Sequence, residues 1–322
     1  MKAALFDSHE GIQPQLRLAG DYPDPQPPAG EVRIRTILAG ICNTDLEVVR
    51  GYAGFSGVLG HEFVGIVDQC QDDSLLGRRV VGEINAACGQ CGTCRAGRPT
   101  HCPQRSALGI RGRDGTLAEY FCLPAENLHL VPEGMPDQVA VFTEPLAAAC
   151  QILEQVHIRP TDRVIVLGDG KLGLLVAQAI ALTGCHLLAV GRHADKLAIL
   201  AARGIPSQIG GEGLDGSADI AVECTGSAEG FHRARQLVRN QGTLVLKSTY
   251  HDQVQTDLSS WVVDEIRLVG SRCGPFAPAL RLLDRDWVDV ASLVQAEYPL
   301  EEVGVAFAHA ARPGTLKVLV RP

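Results

Sequence analysis

Residues Val164-Ile165-Val166-Leu167-Gly168-Asp169-Gly170-Lys171-Leu172-Gly173 set a short apolar, mostly β-branched run directly before a G-x-G-x-x-G motif. The run suits a buried strand, and the residues from Leu172 to Leu182 repeat apolar side chains at helical spacing. In such a strand–turn–helix the first glycine, Gly168, makes the turn and the second, Gly170, lets backbone come close to a pyrophosphate. The third, Gly173, permits tight packing of helix on strand. Lys171 and Leu172 complete the turn at a helix N-terminus, where free N–H groups attract anions. The motif alone is weak, but in this context a bound dinucleotide is expected, and a glycine turn without a ligand is the weaker reading.

The alternation continues downstream. Strand patterns at Val164 to Leu167, His186 to Val190, Ser207 to Ile209, Asp219 to Cys224, Thr243 to Lys247 and Arg267 to Ser271 are spaced by helical patterns at Leu172 to Leu182, Asp195 to Ala202 and Ala228 to Val238. This is the signature of βαβ units and of a doubly wound parallel sheet of Rossmann type. The end of the second strand selects the dinucleotide, because a carboxylate there would hold the ribose 2′-hydroxyl and repel a 2′-phosphate. Here the chain reads Val190-Gly191-Arg192-His193, with Lys196 nearby, so Gly191 stands at the acidic position. Arg192 offers a planar cationic fork suited to phosphate. NADP(H) is expected in preference to NAD(H), with an ordinary solvated charge as the alternative reading of Arg192.

Before Phe142 the pattern is different: short strands such as Val32 to Leu38, Val64 to Asp68 and Arg79 to Gly82, broken by glycine and proline, with little helical periodicity. Pro23-Asp24-Pro25-Gln26-Pro27-Pro28 reads as an extended connection. After Trp287 the pattern shortens again and ends in Leu316-Lys317-Val318-Leu319-Val320, a strand expected to return to the β-rich part. The expected class is α/β with two domains, a mostly-β one from residues 1–143 and 287–322 and a dinucleotide-binding one from residues 144–286.

Cysteine occurs 11 times, an odd count, and Met1 to Asp7 lacks the charged, apolar and small-residue segments of an export signal, so metal binding is a better first question than disulfides. Cys88-x2-Cys91-x2-Cys94-x7-Cys102 places four thiolates in a glycine-bearing loop. Four thiolates in tetrahedral geometry suit a structural zinc, and such a closed shell leaves no position for chemistry. Unligated thiols and an iron–sulfur cluster compete, but the x7 gap is longer than the ferredoxin spacing. The scattered cysteines sit mainly in apolar strings and read as small core residues.

Cys42 is the exception. Ala39-Gly40-Ile41-Cys42-Asn43-Thr44-Asp45 is followed by Gly60-His61-Glu62-Phe63-Val64-Gly65, a thiolate, an imidazole and a carboxylate flanked by glycines. These are the ligand types of a catalytic zinc with one open position, though each alone is weak. Phe142-Thr143-Glu144-Pro145-Leu146-Ala147 lies at the domain junction; there Thr143 as a helix cap with Glu144 favoured by the helix dipole competes with a functional reading.

With 29 basic against 37 acidic residues and a net charge of −8, nothing favours a nucleic-acid partner. The longest apolar run, about Leu172 to Thr183, is too short to span a bilayer, so no membrane partner is expected and the protein reads as cytoplasmic.

Together these residues resemble the zinc-containing medium-chain dehydrogenase/reductase family, which includes alcohol, sorbitol and threonine dehydrogenases. The resemblance spans nearly the whole chain. It implies a GroES-like catalytic domain interrupted by a Rossmann domain, with the active site in the cleft between them. It also implies that Cys42 and His61 ligate a catalytic zinc and that Glu62 ligates or supports it. Glu144 is similar in position to the glutamate of the polyol-dehydrogenase branch, with Cys150 as the fallback ligand. Thr44 resembles the hydroxyl of the proton relay, although Glu47 stands where the family often has histidine. Gly168, Gly170 and Gly173 resemble the phosphate-binding glycines. Arg272, at the end of a late strand, is either a cofactor or substrate contact or a structural ion-pair partner.

These implications add up to an NAD(P)-dependent alcohol dehydrogenase with two zinc ions per chain, acting on a small-molecule alcohol or carbonyl, of polyol or sugar-alcohol kind, as a homodimer or homotetramer. Zinc would ease loss of the alcohol's proton, after which hydride leaves to the nicotinamide. Two rivals are a zinc-free quinone or enone reductase of the same fold and a non-catalytic NADP-binding protein.

Overall fold

The computed structural model describes residues 1–8, 14–51, 54–249 and 253–322. It divides into two compact units, Met1–Glu144 with Ala279–Pro322, and Pro145–Pro278.

The first unit runs through β1 (Ala3–Asp7), β2 (Gln15–Ala19), β3 (Glu31–Gly40), α1 (Asn43–Val49), β4 (Gly57–Val58), β5 (Glu62–Gln69) and β6 (Arg79–Gly82). It continues through β7 (Asn85–Ala86), α2 (Gly92–Arg95), β8 (Ser106–Ala107), β9 (Tyr120–Pro124), β10 (Leu128–Leu130) and α3 (Asp137–Ala140), and α4 (Thr143–Gln155) leads out of it. The second unit carries β11 (Arg163–Leu167), α5 (Lys171–Ala181), β12 (His186–Gly191), α6 (Ala194–Ala202), β13 (Ser207–Ile209), β14 (Ala218–Glu223), α7 (Ala228–Leu237), β15 (Val238–Leu246), α8 (Leu258–Val263) and β16 (Arg267–Gly270). After α9 (Phe276–Asp284), β17 (Val294–Pro299), α10 (Val303–Ala310) and β18 (Lys317–Arg321) complete the first unit.

The large sheet of the first unit has the order β10-β6-β5-β3-β18-β17, with β9 also on β3. Strand β3 alternates as the period of two requires: Val32, Ile34 and Leu38 are buried, and Phe121 and Leu123 from β9 join them in the core. Phe63 meets Phe121 edge to face with ring centroids 4.7 Å apart. The C-terminal strand expected at Leu316 to Val320 is β18, and it pairs antiparallel with β3, placing Leu319 opposite Gly40; on the other side of β3, Gly40 faces Glu62. That register sets Leu319 and Glu62 on the two flanks of Gly40 and brings Lys317, two residues before Leu319, to the Glu62 carboxylate.

Several short helices of the first unit were not expected, α1 and α10 among them. Helix α1 begins at the cysteine-bearing loop, and its N-terminus is fixed by the Asp45 carboxylate accepting the Cys42 N–H at 2.7 Å. Helix α10 is apolar almost all round, so its periodicity is masked; Val303, Ala306, Phe307 and Ala310 pack with Phe6, Ile41, Leu300 and Val318.

The second unit is a parallel sheet of order β13-β12-β11-β14-β15-β16, with all six expected strands present. Its core gathers Ile165, Leu167, Val190, Ala221, Phe231, Leu237 and Leu244. The larger of these side chains contribute about 1.5–3 kcal/mol each when fully buried. Strand β15 starts earlier than the apolar run Thr243 to Lys247 suggests, because a register shift between Ala218 and Ile220 of β14 admits the polar residues after Val238. A Cβ at Gly173 would collide with the carbonyl of Gly168, so glycine is what lets α5 lie against its strand.

Candidate metal and cofactor sites

The end of β3, the start of α1 and the start of β5 bring Cys42, His61 and Glu62 together. One ligand atom from each lies within 4.8 Å of the others. Cys42 is half-buried, while His61 and Glu62 are 2% and 1% exposed. His61 Nδ1 lies 3.1 Å from Asp45 Oδ1, and Asp45 is fully buried, which fixes the ring and leaves Nε2 for the cluster. Burial opposes charge on His61, but Asp45 and then Cys42 outweigh it and raise its pKa well above the ordinary value.

Glu62 is divided between two environments. Oε2 accepts from Lys317 Nζ, and Oε1 is buried with no hydrogen-bond partner among the described residues. A buried carboxylate oxygen without a partner costs free energy unless a cation satisfies it, so the donor set fits a divalent metal. Gly40 completes the arrangement, since a Cβ there would run into Glu62 Oε2. Lys317 itself is 1% exposed, donates to the Ile41 carbonyl at 3.4 Å and lies 5.6 Å from the Phe142 ring centroid. Burial would lower its pKa, but Glu62, Cys42 and Glu144 overcome that and raise it.

Thr44, Glu47 and Glu144 belong to the same unit as this centre. Thr44 Oγ1 lies 3.8 Å from Cys42 Sγ. Glu47 pairs with Arg50 at 2.7 Å on the same helix. Glu144 lies outside the cluster of Cys42, His61 and Glu62 but near enough to Lys317 to support its charge. Thr143 is the first residue of α4 and its hydroxyl donates back to the Ala140 carbonyl at 2.7 Å, so it does not cap the helix as one reading had it. Cys150, further along α4, is buried, and its thiol is pushed up to about 11 by desolvation first and Glu154 second.

The four-cysteine loop closes on itself. Sulfur–sulfur separations are 3.5 Å for Cys91–Cys94 and Cys88–Cys102, 3.8 Å for Cys91–Cys102 and 4.0 Å for Cys88–Cys94. A tetrahedron with metal–sulfur bonds of ~2.3 Å has edges of about 3.8 Å, so the cradle has the size of a zinc–thiolate centre. Four thiols this close cannot all ionise without a cation. The Cys94 backbone N–H helps bring Cys91 down to about 6, while desolvation pushes Cys94 up to about 12.

In the second unit, Gly170 is the N-cap of α5, with Lys171, Leu172 and Gly173 in the first turn. Gly191 ends β12, Arg192 is exposed, His193 is the N-cap of α6 and Lys196 is buried in its first turn. Asp169 accepts the N–H groups of Arg192 and His193, both at 2.6 Å. Beyond β15 and β16, Lys247 Nζ donates to the Arg272 carbonyl and lies 3.3 Å from Ser271 Oγ; Tyr250, at the end of the same late-strand segment, is outside the described residues.

Comparison with known proteins follows this geometry. Residues 28–133 match the alcohol dehydrogenase GroES-like domain family. A sorbitol dehydrogenase from Halalkalibacterium halodurans is 30% identical, covering 94% of each chain. The chain belongs to the zinc-containing medium-chain dehydrogenase/reductase family. An erythritol/L-threitol dehydrogenase from Mycolicibacterium smegmatis is 29% identical over 86% of each chain. Among solved structures, the alcohol dehydrogenase TADH from Thermus sp. ATN1 aligns with a TM-score of 0.85 and 27% identity, covering 100% of this chain and 99% of that one.

As a member of this family the chain has the expected GroES-like and Rossmann folds, and three residues that its sequence alone did not single out now stand beside the site residues. Asp45 orients His61, Lys317 holds Glu62, and Asp169 fills the space next to Gly191. A lone lysine inside the apolar run from Leu316 to Val320 was the available signal for the second. Among the described residues no helix is long and apolar enough to cross a membrane.

Proposed function

We propose that this chain is a zinc-dependent oxidoreductase that moves hydride between a secondary alcohol, of polyol or sugar-alcohol kind, and NADP(H) in preference to NAD(H), with two zinc ions per chain. The observation that carries the reading is the convergence of Cys42, His61 and Glu62 with Glu62 Oε1 left without a partner. The sorbitol and erythritol/L-threitol dehydrogenase relatives support the hydroxyl-rich substrate class.

Cys42 and His61, with Glu62 and Glu144 as the carboxylates, would hold the catalytic metal, and Cys88, Cys91, Cys94 and Cys102 the structural one. Zinc at the first site supplies a Lewis acid that favours loss of the alcohol's proton. Thr44 Oγ1 accepts that proton and passes it outward. Asp45 keeps His61 in one tautomer, and Lys317 holds the Glu62 carboxylate in place. In the other unit, the Gly168, Gly170 and Gly173 turn binds pyrophosphate at the start of α5, and Arg192 attracts the 2′-phosphate. Lys171, Leu172, Gly191, His193, Lys196 and Arg272 complete the cofactor surroundings. Strand β16 is one edge of its sheet among the described residues, with Leu268 half exposed, and Val262 and Val263 of α8 are exposed too, which supports a homodimer or homotetramer.

The test is zinc per chain by elemental analysis, with polyol oxidation assayed in parallel. Two ions are expected in the native chain and one in Cys42→Ser, which loses turnover while still binding NADPH. Turnover in a zinc-depleted Cys42→Ser variant would refute the reading.

A further inference from the structure

Gly191 stands where a dinucleotide-binding domain can carry a carboxylate, and the structure shows why no side chain occupies it. A Cβ at Gly191 would lie 2.5 Å from Asp169 Oδ2 and 2.6 Å from Asp169 Cβ. The space is already filled, from the neighbouring strand end, by the second residue of the Gly168–Gly173 turn. Gly191 therefore accommodates a carboxylate that comes from elsewhere; it is not a gap cleared for a phosphate.

That carboxylate is tightly held. Oδ2 accepts the Arg192 and His193 backbone N–H groups at 2.6 Å each and lies 3.0 Å from His193 Nδ1; Oδ1 lies 3.1 Å from the same ring nitrogen. The residue is 7% exposed. Burial alone would raise its pKa, but the His193 and Arg192 contacts keep it below the usual carboxylate range, so Asp169 is an anion near neutral pH. Two consequences follow. The N–H groups of Arg192 and His193, which would otherwise be donors for a phosphate, are spent on Asp169. A fixed negative charge also sits at the turn where a 2′-phosphate would have to be accepted, and Oδ1 retains capacity to accept from a ribose hydroxyl.

From this geometry we infer that Asp169 is a specificity-determining residue for the dinucleotide: it supplies from the glycine turn the carboxylate missing at position 191, disfavours the 2′-phosphate and opposes Arg192. The inference rests on the reading of the Gly168–Gly173 turn as a dinucleotide site. The balance between NADPH and NADH is then set by two charges of opposite sign, one on each side of Gly191, so the preference for NADP(H) is narrower than Arg192 alone would make it.

The experiment is direct titration of the zinc-loaded protein with NADPH and with NADH, followed by nicotinamide fluorescence, for the native chain, Asp169→Asn and Asp169→Ser. Removing one charge a few ångströms from a phosphate is expected to raise the ratio of NADPH to NADH affinity about tenfold in both variants, with NADH affinity falling no more than a few-fold. An unchanged ratio, or equal losses for both cofactors, overturns the inference and leaves Asp169 a support of the turn only. Failure of the native chain to bind either cofactor overturns the dinucleotide reading and this inference together, whereas native binding with an unmoved ratio overturns this inference alone.

Discussion

Lys317 and Glu62, 255 residues apart in the chain, form an ion pair in which both side chains are 1% exposed. The pair exists because β18 and β5 flank β3 at Gly40, the residue that leaves room for the Glu62 carboxylate. One terminus of the chain is thereby tied to the centre formed by Cys42 and His61.

Removing one partner of a buried pair leaves the other charge uncompensated. Lys317→Met is expected to lower stability by about 3–5 kcal/mol. The double variant Lys317→Met/Glu62→Gln should lose less than the sum of the single changes, since neither charge remains. Urea unfolding of all four forms gives the coupling, and strict additivity would remove the pair from this account.

Among the described residues, Asp45 touches the site through His61 and the Cys42 N–H. Replacing it with asparagine keeps the size but loses the charge that sets the imidazole's tautomer. Zinc affinity at the Cys42 site should fall about 10–100-fold, measured by competition with a chelator, while the four-cysteine zinc is retained. Equal loss of both zinc ions would point to a general loosening instead.

How far the sequence reached depends on the range of the interactions involved. The strand, glycine turn and helix from Val164 onward were legible because each is a local pattern, and so was the four-cysteine spacing. Cys42, His61 and Glu62 were legible as ligand types. Asp45 and Lys317 were not singled out, because nothing in their neighbourhood shows that one reaches the histidine just ahead of β5 or that the other faces Glu62 across β3. Asp169 was quoted within its motif yet its role went unread, since that role depends on β12 lying beside β11. The register of neighbouring strands carries this information, and local pattern does not contain it.

Gly40→Ala tests the crowding at the same centre. The added methyl meets Glu62 Oε2, so the carboxylate must shift away from Lys317. A stability loss of about 1–3 kcal/mol is expected from overpacking, together with weaker zinc binding at the Cys42 site. Unaltered zinc affinity would show that Glu62 can move without consequence for the metal.

Asp162 gives the second unit an acid-sensitive tie. It is 4% exposed and accepts from the Arg159 N–H at 2.8 Å and from Arg159 Nε at 3.0 Å. Burial works against its charge, but the Arg159 contacts prevail and hold its pKa below the usual carboxylate range. A group whose folded pKa is depressed adds stability that is fully present above its unfolded pKa and is lost as pH falls through the folded one. Asp162→Asn should therefore cost about 1 kcal/mol near neutral pH, the exposed guanidinium being partly screened. The cost should shrink below about pH 4. Urea midpoints at pH 7 and pH 3 decide it, and a penalty that does not change with pH contradicts the assignment.

The four-cysteine loop is expected to depend on a bound metal, for a reason visible in its secondary structure. Between Cys88 and Cys102 there are only the four-residue helix α2 and one turn of 3₁₀ helix at Pro99–His101, and the adjoining strands β7 and β8 are two residues each. None of these elements would be stable alone. Of the sulfurs' residues only Cys102 is buried, so apolar packing does little to hold the other three in place. A zinc ion bonded to all four sulfurs would supply the missing constraint, and its closed shell would admit no substrate. Arg95 lies exposed within this loop, is followed by alanine and serves as a reporter. Trypsin should spare the Arg95–Ala96 bond in the zinc-loaded protein and cut it after chelation, or in Cys94→Ser, at least tenfold faster, because cleavage requires local opening. Equal cutting rates with and without metal would mean that the loop holds its shape through protein contacts alone, and the match between the sulfur spacing and a zinc tetrahedron would then carry no structural role.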